Sequence, residues 1–134
     1  MPNVKSGIAD KHYAPTATIG LGISKPKGKY RGADVKAFFV RKDLKQHGLQ
    51  RRIEGPLLDA EDRCLIVEDV VTTGGSTLQA IDAVREAGHE IVGVVAILDR
   101  LAGGAEAIRQ AVAAPYEPLA TIDDVYPERP DRAA

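Results

Sequence analysis

The chain contains one cysteine, no tryptophan and few aromatic residues, and each of these shortages excludes a class of protein. With Cys64 alone, no disulfide can form within the chain, which excludes a disulfide-stabilised secreted scaffold and fits a reducing cytoplasm. Aromatic residues make up 4% of the sequence, too few for platforms on which bases stack. No apolar run reaches membrane-spanning length, and the first residues lack a secretory signal. We therefore expect a cytoplasmic protein that does not enter membranes.

The charge is nearly balanced, with a formal net charge of −1 at pH 7. That balance argues against a general nucleic-acid partner. A length of 134 residues with 44% hydrophobic residues suits one domain with a modest core. We predict a single domain over residues 1–134, with an irregular segment at 1–34 and a flexible, charged tail at 126–134.

The most informative stretch of the sequence is RCLIVEDVVTTGGST, residues 63–77. Residues 64–67 are continuously apolar, which is typical of a strand buried on both faces in a parallel sheet. Glu68 and Asp69 follow at the predicted end of this strand. Adjacent carboxylates there can accept hydrogen bonds from the two vicinal hydroxyls of a ribose. A turn rich in hydroxyls and glycine then opens a helix, so the pattern predicts a site for a phosphorylated sugar.

The turn itself has the chemistry of an anion site. Its backbone N–H groups can point at one position at a helix N-terminus, where the helix dipole favours negative charge. The two glycines allow close approach of a phosphate. Hydrogen bonds to the phosphate are predicted from Thr72, Thr73, Gly74, Gly75, Ser76 and Thr77. Neither GxxxxGK[ST] nor GxGxxG is present, so a P-loop and a dinucleotide fold are poor interpretations. An ordinary capped turn is the alternative, but the preceding acidic pair favours a ligand.

The remaining apolar pattern predicts a parallel-sheet α/β fold. Strands are expected at 35–40, 91–98 and 119–122, and helices at 76–87 and 102–113. If the strands are parallel, their carboxyl ends share one edge of the sheet, where ligands of open α/β folds bind. That edge then receives Arg41 and Lys42, the acidic pair, and Asp99 and Arg100. We expect Asp99 to be structural rather than catalytic.

Two basic segments precede the acidic pair. Residues 41–54 form a predicted long loop with five basic and two acidic residues, a net charge of +3, so the rest of the chain carries −4. Such a loop suggests an anionic ligand, with a merely solvated loop as the alternative. The second segment, 25–31, is interpreted as a solvated linker because proline and glycine interrupt it, rather than as a phosphate patch. A short strand at 16–23 is also possible.

At this point the residues resemble a known family. IVEDVVTTGGST is similar to the 5-phosphoribosyl 1-diphosphate (PRPP) signature of type I phosphoribosyltransferases. The segment FFVRKDLKQHGLQRRIEG resembles the catalytic loop of orotate phosphoribosyltransferases, as does ILDR at the end of the next strand. The resemblance covers about residues 37–112. It implies a three-layer, Rossmann-like phosphoribosyltransferase core and the synthesis of orotidine 5′-monophosphate and pyrophosphate from orotate and PRPP.

The resemblance also implies a role for each site residue. Glu68 and Asp69 would hold the ribose hydroxyls of PRPP, and residues 72–77 its 5′-phosphate. Pyrophosphate contacts would come from Arg41, Lys42, Lys45 and His47. Lys45 and His47 would act as catalytic residues together with Asp69, and the 41–54 loop would cross to the neighbouring subunit of a homodimer. Arg100, with Thr73, would bind orotate. Mg²⁺ would bridge pyrophosphate and ribose oxygens, with no metal-ligating residue assigned in the chain.

The front of the chain departs from the family pattern. Family members carry an N-terminal hood over the base, then a strand, a glycine-rich pyrophosphate loop and a helix. Only about 34 residues precede the strand VKAFFV here. We therefore expect a shortened variant or a fragment that lacks most of the hood. A phosphoribosyltransferase for another base and a non-catalytic PRPP-binding module stay open as alternatives.

Overall fold

The computed structural model describes residues 4–7, 27–30, 33–41 and 52–132, with side chains described from 36 to 41 and from 52 to 132. The described strands are β1 (Val4–Gly7), β2 (Lys27–Tyr30), β3 (Ala33–Val40), β4 (Ile53–Glu54), β5 (Arg63–Val71), β6 (Glu90–Asp99) and β7 (Tyr116–Thr121). The described helices are α1 (Gly75–Glu86), α2 (Gly104–Ala111) and α3 (Ile122–Val125).

These strands form one sheet in the order β2-β3-β1-β5-β6-β7, with β4 paired to β3. β1 is parallel to both β3 and β5, and β5, β6 and β7 are parallel in turn. The predicted parallel-sheet α/β class is therefore confirmed, and the carboxyl ends of β3, β5 and β6 meet at one edge. β1 separates β3 from β5, so the basic loop begins two strands away from the acidic pair.

The core lies between the sheet and the helices that pack on it. α1 packs against β5, β6 and α2, and it buries Ala80, Ile81 and Val84. Successive residues of a strand point to opposite faces. Ile66 and Val67 are both buried, at 1% and 3% exposure, so both faces of β5 are covered there, as predicted. This burial fixes β5 in place and with it the residues at its carboxyl end.

Several predicted boundaries at the front of the chain are wrong. The segment 1–34, predicted to be irregular, contains β1 and β2. β2 lies within the 25–31 segment that we interpreted as a linker, because Gly28 does not prevent antiparallel pairing with Val35 on β3. The predicted long loop 41–54 also ends in a strand, since β4 pairs with β3. The possible strand at 16–23 lies outside the described residues.

The back of the chain agrees more closely with the prediction. Both ends of α1 and of β6 lie within one residue of their predicted bounds, whereas α2 is shorter than 102–113 and β7 begins three residues before 119. Within the tail, Arg129 forms ion pairs with Asp123 and Asp131. None of the helices in the described part of the chain has the length and apolar character needed to cross a membrane.

Candidate active site

The acidic pair lies inside β5, because this strand continues to Val71 and does not end at Val67 as predicted. The two carboxyl groups have different surroundings. Glu68 is only 2% exposed, whereas Asp69 is exposed, and one Asp69 oxygen accepts the backbone N–H of Val70 at 2.7 Å. Asp69 is therefore the member of the pair that a ligand can reach directly from solvent.

Glu68 is held by the first turn of the helix that follows. Its Oε2 accepts the hydroxyl of Thr77 at 3.0 Å and that of Ser76 at 3.3 Å. Burial, and the Asp69 carboxyl beside it, raise the pKa of Glu68 from 4.5 to about 7, although the Thr77 hydrogen bond lowers it in part. Near neutral pH this carboxyl therefore exists in both protonation states. In this structure both hydroxyls donate to Glu68, and the predicted contact of Ser76 and Thr77 with a phosphate stays a prediction.

The turn before α1 has the form of an anion site. Gly74 is the N-cap residue of α1 with φ of 84°, a conformation that favours glycine, and no side chain caps the helix. The first N–H groups of a helix have no partner within the helix, so an anion can satisfy them. Thr72, Thr73 and Gly75 are exposed around this helix end. The helix N-terminus and the glycine conformation that the prediction requires are therefore present, and Thr72 and Thr73 are accessible; phosphate binding there stays a prediction.

A second glycine, not among the predicted site residues, contacts the backbone of this turn. The N–H of Gly104, the first residue of α2, donates to the carbonyl oxygen of Thr72 at 3.0 Å. A Cβ on Gly104 would lie 2.5 Å from that oxygen and 2.9 Å from the backbone nitrogen of Gly74. Only glycine permits such a close approach. The Gly103-Gly104 pair after the predicted strand was the signal available in the sequence.

The connection after β6 brings Arg100 to the same edge. The Arg100 N–H donates to the carbonyl oxygen of Val71 at 2.9 Å, and the Arg100 side chain is exposed. Asp99 is buried and accepts hydrogen bonds from the Tyr116 hydroxyl and the Leu101 N–H, each at 2.8 Å. These contacts are the structural kind that we expected of Asp99. The sequence did not predict the hydrogen bond from Tyr116 to Asp99, because the two residues are 17 positions apart and meet only when β7 pairs with β6.

Of the basic loop, the structure describes both ends. Arg41 pairs with Glu54 across the β3–β4 ladder, and its N–H donates to the carbonyl oxygen of Arg52 at 2.8 Å. Lys42, Lys45 and His47 lie outside the described residues. Arg41 is therefore the first residue of the loop and follows a strand that ends at the same edge as residues 72–77, which we call the phosphate turn after the role predicted for it.

A cavity of about 600 Å³ lies elsewhere, between the segment 52–58 and the end of α1, with His89 among its lining residues. None of Asp69, Gly74 and Arg100 is among its lining residues, so this cavity is separate from the groups at the carboxyl end of β5. The candidate active site is thus an open edge, as expected where a ligand binds across several strand ends.

Comparison with known proteins agrees with this geometry. The model of the phosphoribosyl transferase domain matches residues 27–114. The chain belongs to the phosphoribosyltransferase family. Within that family its relatives are orotate phosphoribosyltransferases, so the resemblance predicted from the two motifs is confirmed.

The orotate phosphoribosyltransferase of Streptomyces avermitilis is 56% identical over 86 residues, which are 64% of this chain and 47% of that protein. That of Corynebacterium glutamicum strain R is 50% identical over 125 residues, 91% of this chain and 67% of that protein. The structure is also similar to that of Mycobacterium tuberculosis H37Rv orotate phosphoribosyltransferase in complex with PRPP, with a TM-score of 0.59 and 31% identity over 91% of this chain and 63% of that one. The chain thus spans from about half to two thirds of the length of these relatives.

Proposed function

We propose that the chain transfers the 5-phosphoribosyl group from PRPP to orotate, which gives orotidine 5′-monophosphate and pyrophosphate. The observation that carries the proposal is the meeting of three groups at one sheet edge: an exposed carboxylate at Asp69, a glycine-capped helix N-terminus at Gly74, and Arg100 tied to the end of β5. The names of the relatives support it, as does the PRPP bound to the similar structure.

PRPP binding is assigned to the acidic pair and the turn. In the proposal, Asp69 accepts a hydrogen bond from one ribose hydroxyl. The contact with the other ribose hydroxyl is assigned to Glu68, whose carboxyl group lies against Ser76 and Thr77 in this structure. The 5′-phosphate lies at the N-terminus of α1, where backbone N–H groups and the hydroxyls of Thr72 and Thr73 donate to it. Ser76 and Thr77 act through Glu68, since their hydroxyls already donate to its carboxyl group.

The chemical step is displacement of pyrophosphate from the anomeric carbon of the ribose. Positive charge develops on the sugar, which the acidic pair favours, and negative charge develops on the leaving group. We assign stabilisation of that charge to Arg41, Lys42, Lys45 and His47, with His47 as a general acid. A closing loop excludes water that would otherwise capture the sugar cation.

Mg²⁺ belongs to the proposal as a cofactor. Among the described residues no group of three His, Cys, Asp or Glu side chains is arranged to hold a metal. Mg²⁺ commonly binds through one or two carboxylates and substrate phosphates, so the exposed Asp69 fits a site completed by PRPP. When bound, the ion neutralises charge on the leaving pyrophosphate.

The base site is assigned to Arg100 with Thr73. A guanidinium presents two parallel N–H groups to a carboxylate, a geometry that suits orotate. Both residues are exposed at the candidate site. A cytoplasmic location completes the proposal, supported by the single cysteine of the chain.

Turnover of orotate tests the proposal directly. We expect the orotate absorbance to fall when PRPP and Mg²⁺ are present, with pyrophosphate released in equal amount. No turnover at high enzyme concentration would contradict it. A panel of other bases in the same assay identifies a transferase of different specificity, and calorimetric binding of PRPP without pyrophosphate release identifies a non-catalytic module.

The basic loop is tested by Lys45→Ala. We expect turnover to fall by orders of magnitude while PRPP binding stays mostly intact, because the lysine acts on the leaving group. Lys29→Ala removes the same charge outside the loop and is expected to retain turnover. Equal effects of the two substitutions would contradict the assignment.

We also propose a homodimer in which the 41–54 loop completes the neighbouring active site. Lys45→Ala and Asp69→Asn are then each inactive alone. After mixing and subunit exchange, half of the dimers hold one intact site, so activity returns to about a quarter of wild type. If each subunit instead completed its own site, the mixture would stay inactive.

A further inference from the structure

Asp99 fixes the short connection that carries Arg100. Its carboxyl group is 1% exposed and accepts hydrogen bonds on both oxygens. Oδ1 accepts the N–H of Leu101, and Oδ2 accepts the hydroxyl of Tyr116, each at 2.8 Å. Arg100 lies between Asp99 and Leu101, and its own N–H is held by the carbonyl oxygen of Val71. The backbone on either side of Arg100 is therefore constrained.

The conformation of this connection needs such a constraint. Leu101 has φ of 58°, a left-handed conformation that a leucine seldom adopts, and its side chain is half exposed. Strained backbone persists only where the surrounding structure determines it. Two contacts hold the backbone here: the Asp99 carboxyl accepts the N–H of Leu101, and the Val71 carbonyl oxygen accepts the N–H of Arg100. The buried carboxyl is the one that acts on Leu101 itself.

Tyr116 in turn fixes Asp99. The tyrosine is 4% exposed, and the guanidinium of Arg109 lies 5.2 Å from the centre of its ring. Burial and the adjacent Asp99 raise the pKa of Tyr116, so its hydroxyl remains a donor at neutral pH. A contiguous series of contacts thus runs from β7 through Tyr116 and Asp99 to the backbone of Arg100.

We propose that Tyr116 is a positioning residue for the base site. Its hydroxyl holds Asp99, Asp99 holds the turn at Leu101, and the turn presents Arg100 to the carboxylate of the base. The inference rests on the proposed function, in which Arg100 binds that carboxylate. A tyrosine that served only the core would affect stability and leave recognition of the base unchanged.

Tyr116→Phe tests this role, because it keeps the ring and removes only the hydroxyl. We expect KM for orotate to rise about tenfold, which corresponds to a loss of about 1.4 kcal/mol in binding, while KM for PRPP changes less than about twofold. Tyr126→Phe removes a hydroxyl from a half-exposed ring and is the matched control, with both constants unchanged. Equal changes in both KM values for Tyr116→Phe, or no change in either, would overturn the proposal.

A double-mutant cycle distinguishes positioning from general destabilisation. If Tyr116 acts through Arg100, then Tyr116→Phe has no further effect on the orotate KM once Arg100→Ala is present. Independent effects would multiply instead, and that result would overturn the proposal. The cycle uses the whole chain with saturating PRPP and Mg²⁺.

Amide hydrogen exchange separates this inference from the proposed function. In Tyr116→Phe the Leu101 amide is expected to exchange at least about tenfold faster, with little change at the amides of Ile81 and Val84 in α1. An unchanged Leu101 rate would overturn the positioning role even in an active enzyme. If the wild-type chain did not use orotate, the proposed function would fail, and faster exchange at Leu101 would still establish the series of contacts from Tyr116.

Discussion

Among the glycines near the phosphate turn, Gly104 is the one at which an added Cβ would meet the closest atoms. We therefore expect Gly104→Ala to disturb the turn. The new Cβ would lie 2.5 Å from the carbonyl oxygen of Thr72, 2.6 Å from Cγ1 of Val71 and 2.9 Å from the nitrogen of Gly74. Ordinary contact begins at 3.4 Å, so the closest atom must move by about 0.9 Å. Two of the three atoms belong to the backbone of the turn, which cannot rotate away as a side chain can.

The expected loss of stability follows from these contacts. Overpacking costs about 1–3 kcal/mol, and weakening the hydrogen bond from Gly104 to Thr72 costs about 0.5–1.5 kcal/mol more. Alanine restricts the unfolded chain, which restores about 0.4–1 kcal/mol. We therefore expect the free energy of unfolding to fall by about 2 kcal/mol. That is a large share of the 5–15 kcal/mol typical of a domain.

Gly75→Ala provides the matched control for stability. No atom lies within 4 Å of a Cβ at this position, and Gly75 does not have a positive φ. The same substitution at the first residue of α1 should therefore raise the free energy of unfolding by about 0.4–1 kcal/mol. Because the chain has no tryptophan, urea denaturation is best followed by far-ultraviolet circular dichroism.

PRPP binding gives the second measurement. Displacing Thr72 and Gly74 moves the cradle assigned to the 5′-phosphate, so we expect calorimetry to show at least about tenfold weaker PRPP binding for Gly104→Ala. Equal denaturation midpoints for Gly104→Ala and Gly75→Ala would refute the packing argument. Weaker stability with unchanged PRPP affinity would refute the link between this glycine and the phosphate turn.

Three further predictions concern buried groups. The pKa of Glu68 is about 7 in the folded chain against an ordinary 4.5, so its contribution to stability is complete below pH 4.5. As the pH rises through 7 the free energy of unfolding should therefore fall by up to about 3 kcal/mol. Glu68→Gln should remove this fall in the free energy of unfolding, measured by denaturation across that pH range. Thr77→Val removes a hydroxyl that lowers the pKa of Glu68, so the fall should extend to higher pH, whereas Thr72→Val, at an exposed position, should leave it unchanged. Cys64 is 0% exposed, so reaction of its thiol with a thiol reagent should require unfolding, and the rate should rise about tenfold for each 1.4 kcal/mol of stability that a variant loses; labelling as fast as that of a small thiol would contradict this burial.

Much of the fold could be predicted from local sequence. The apolar runs at 64–67 and 91–98 predict buried parallel strands because a strand covered on both faces needs no polar alternation. The helix between them follows from its period and from Gly88, whose φ of 84° ends it. β1 and β2 were not predicted because four-residue strands with glycine and lysine carry little apolar pattern. They form strands because β1 pairs with β3 and β5, and β2 pairs with β3.

The candidate site divides in the same way. The residue types and spacing of the acidic pair and the glycine turn were sufficient to predict a ribose-phosphate site. They did not predict that Ser76 and Thr77 donate to Glu68, because that depends on how the first turn of α1 lies against β5. Nor did they predict the place of Gly104, which is distant in the sequence from the turn that it supports.

The sequence by itself therefore determined the chemistry at the edge of the sheet: which carboxylates, which glycine turn and which arginine are available. This is possible because the spacing of a strand, a turn and a helix is local information. Only the tertiary structure decided how those groups differ from one another. Glu68 is buried, accepts hydrogen bonds from the first turn of α1 and has a raised pKa, whereas Asp69 is exposed. Pairing of β7 with β6 brings the Tyr116 hydroxyl within hydrogen-bond distance of Asp99. Desolvation and contacts between distant segments arise when the chain folds, and no local pattern records them.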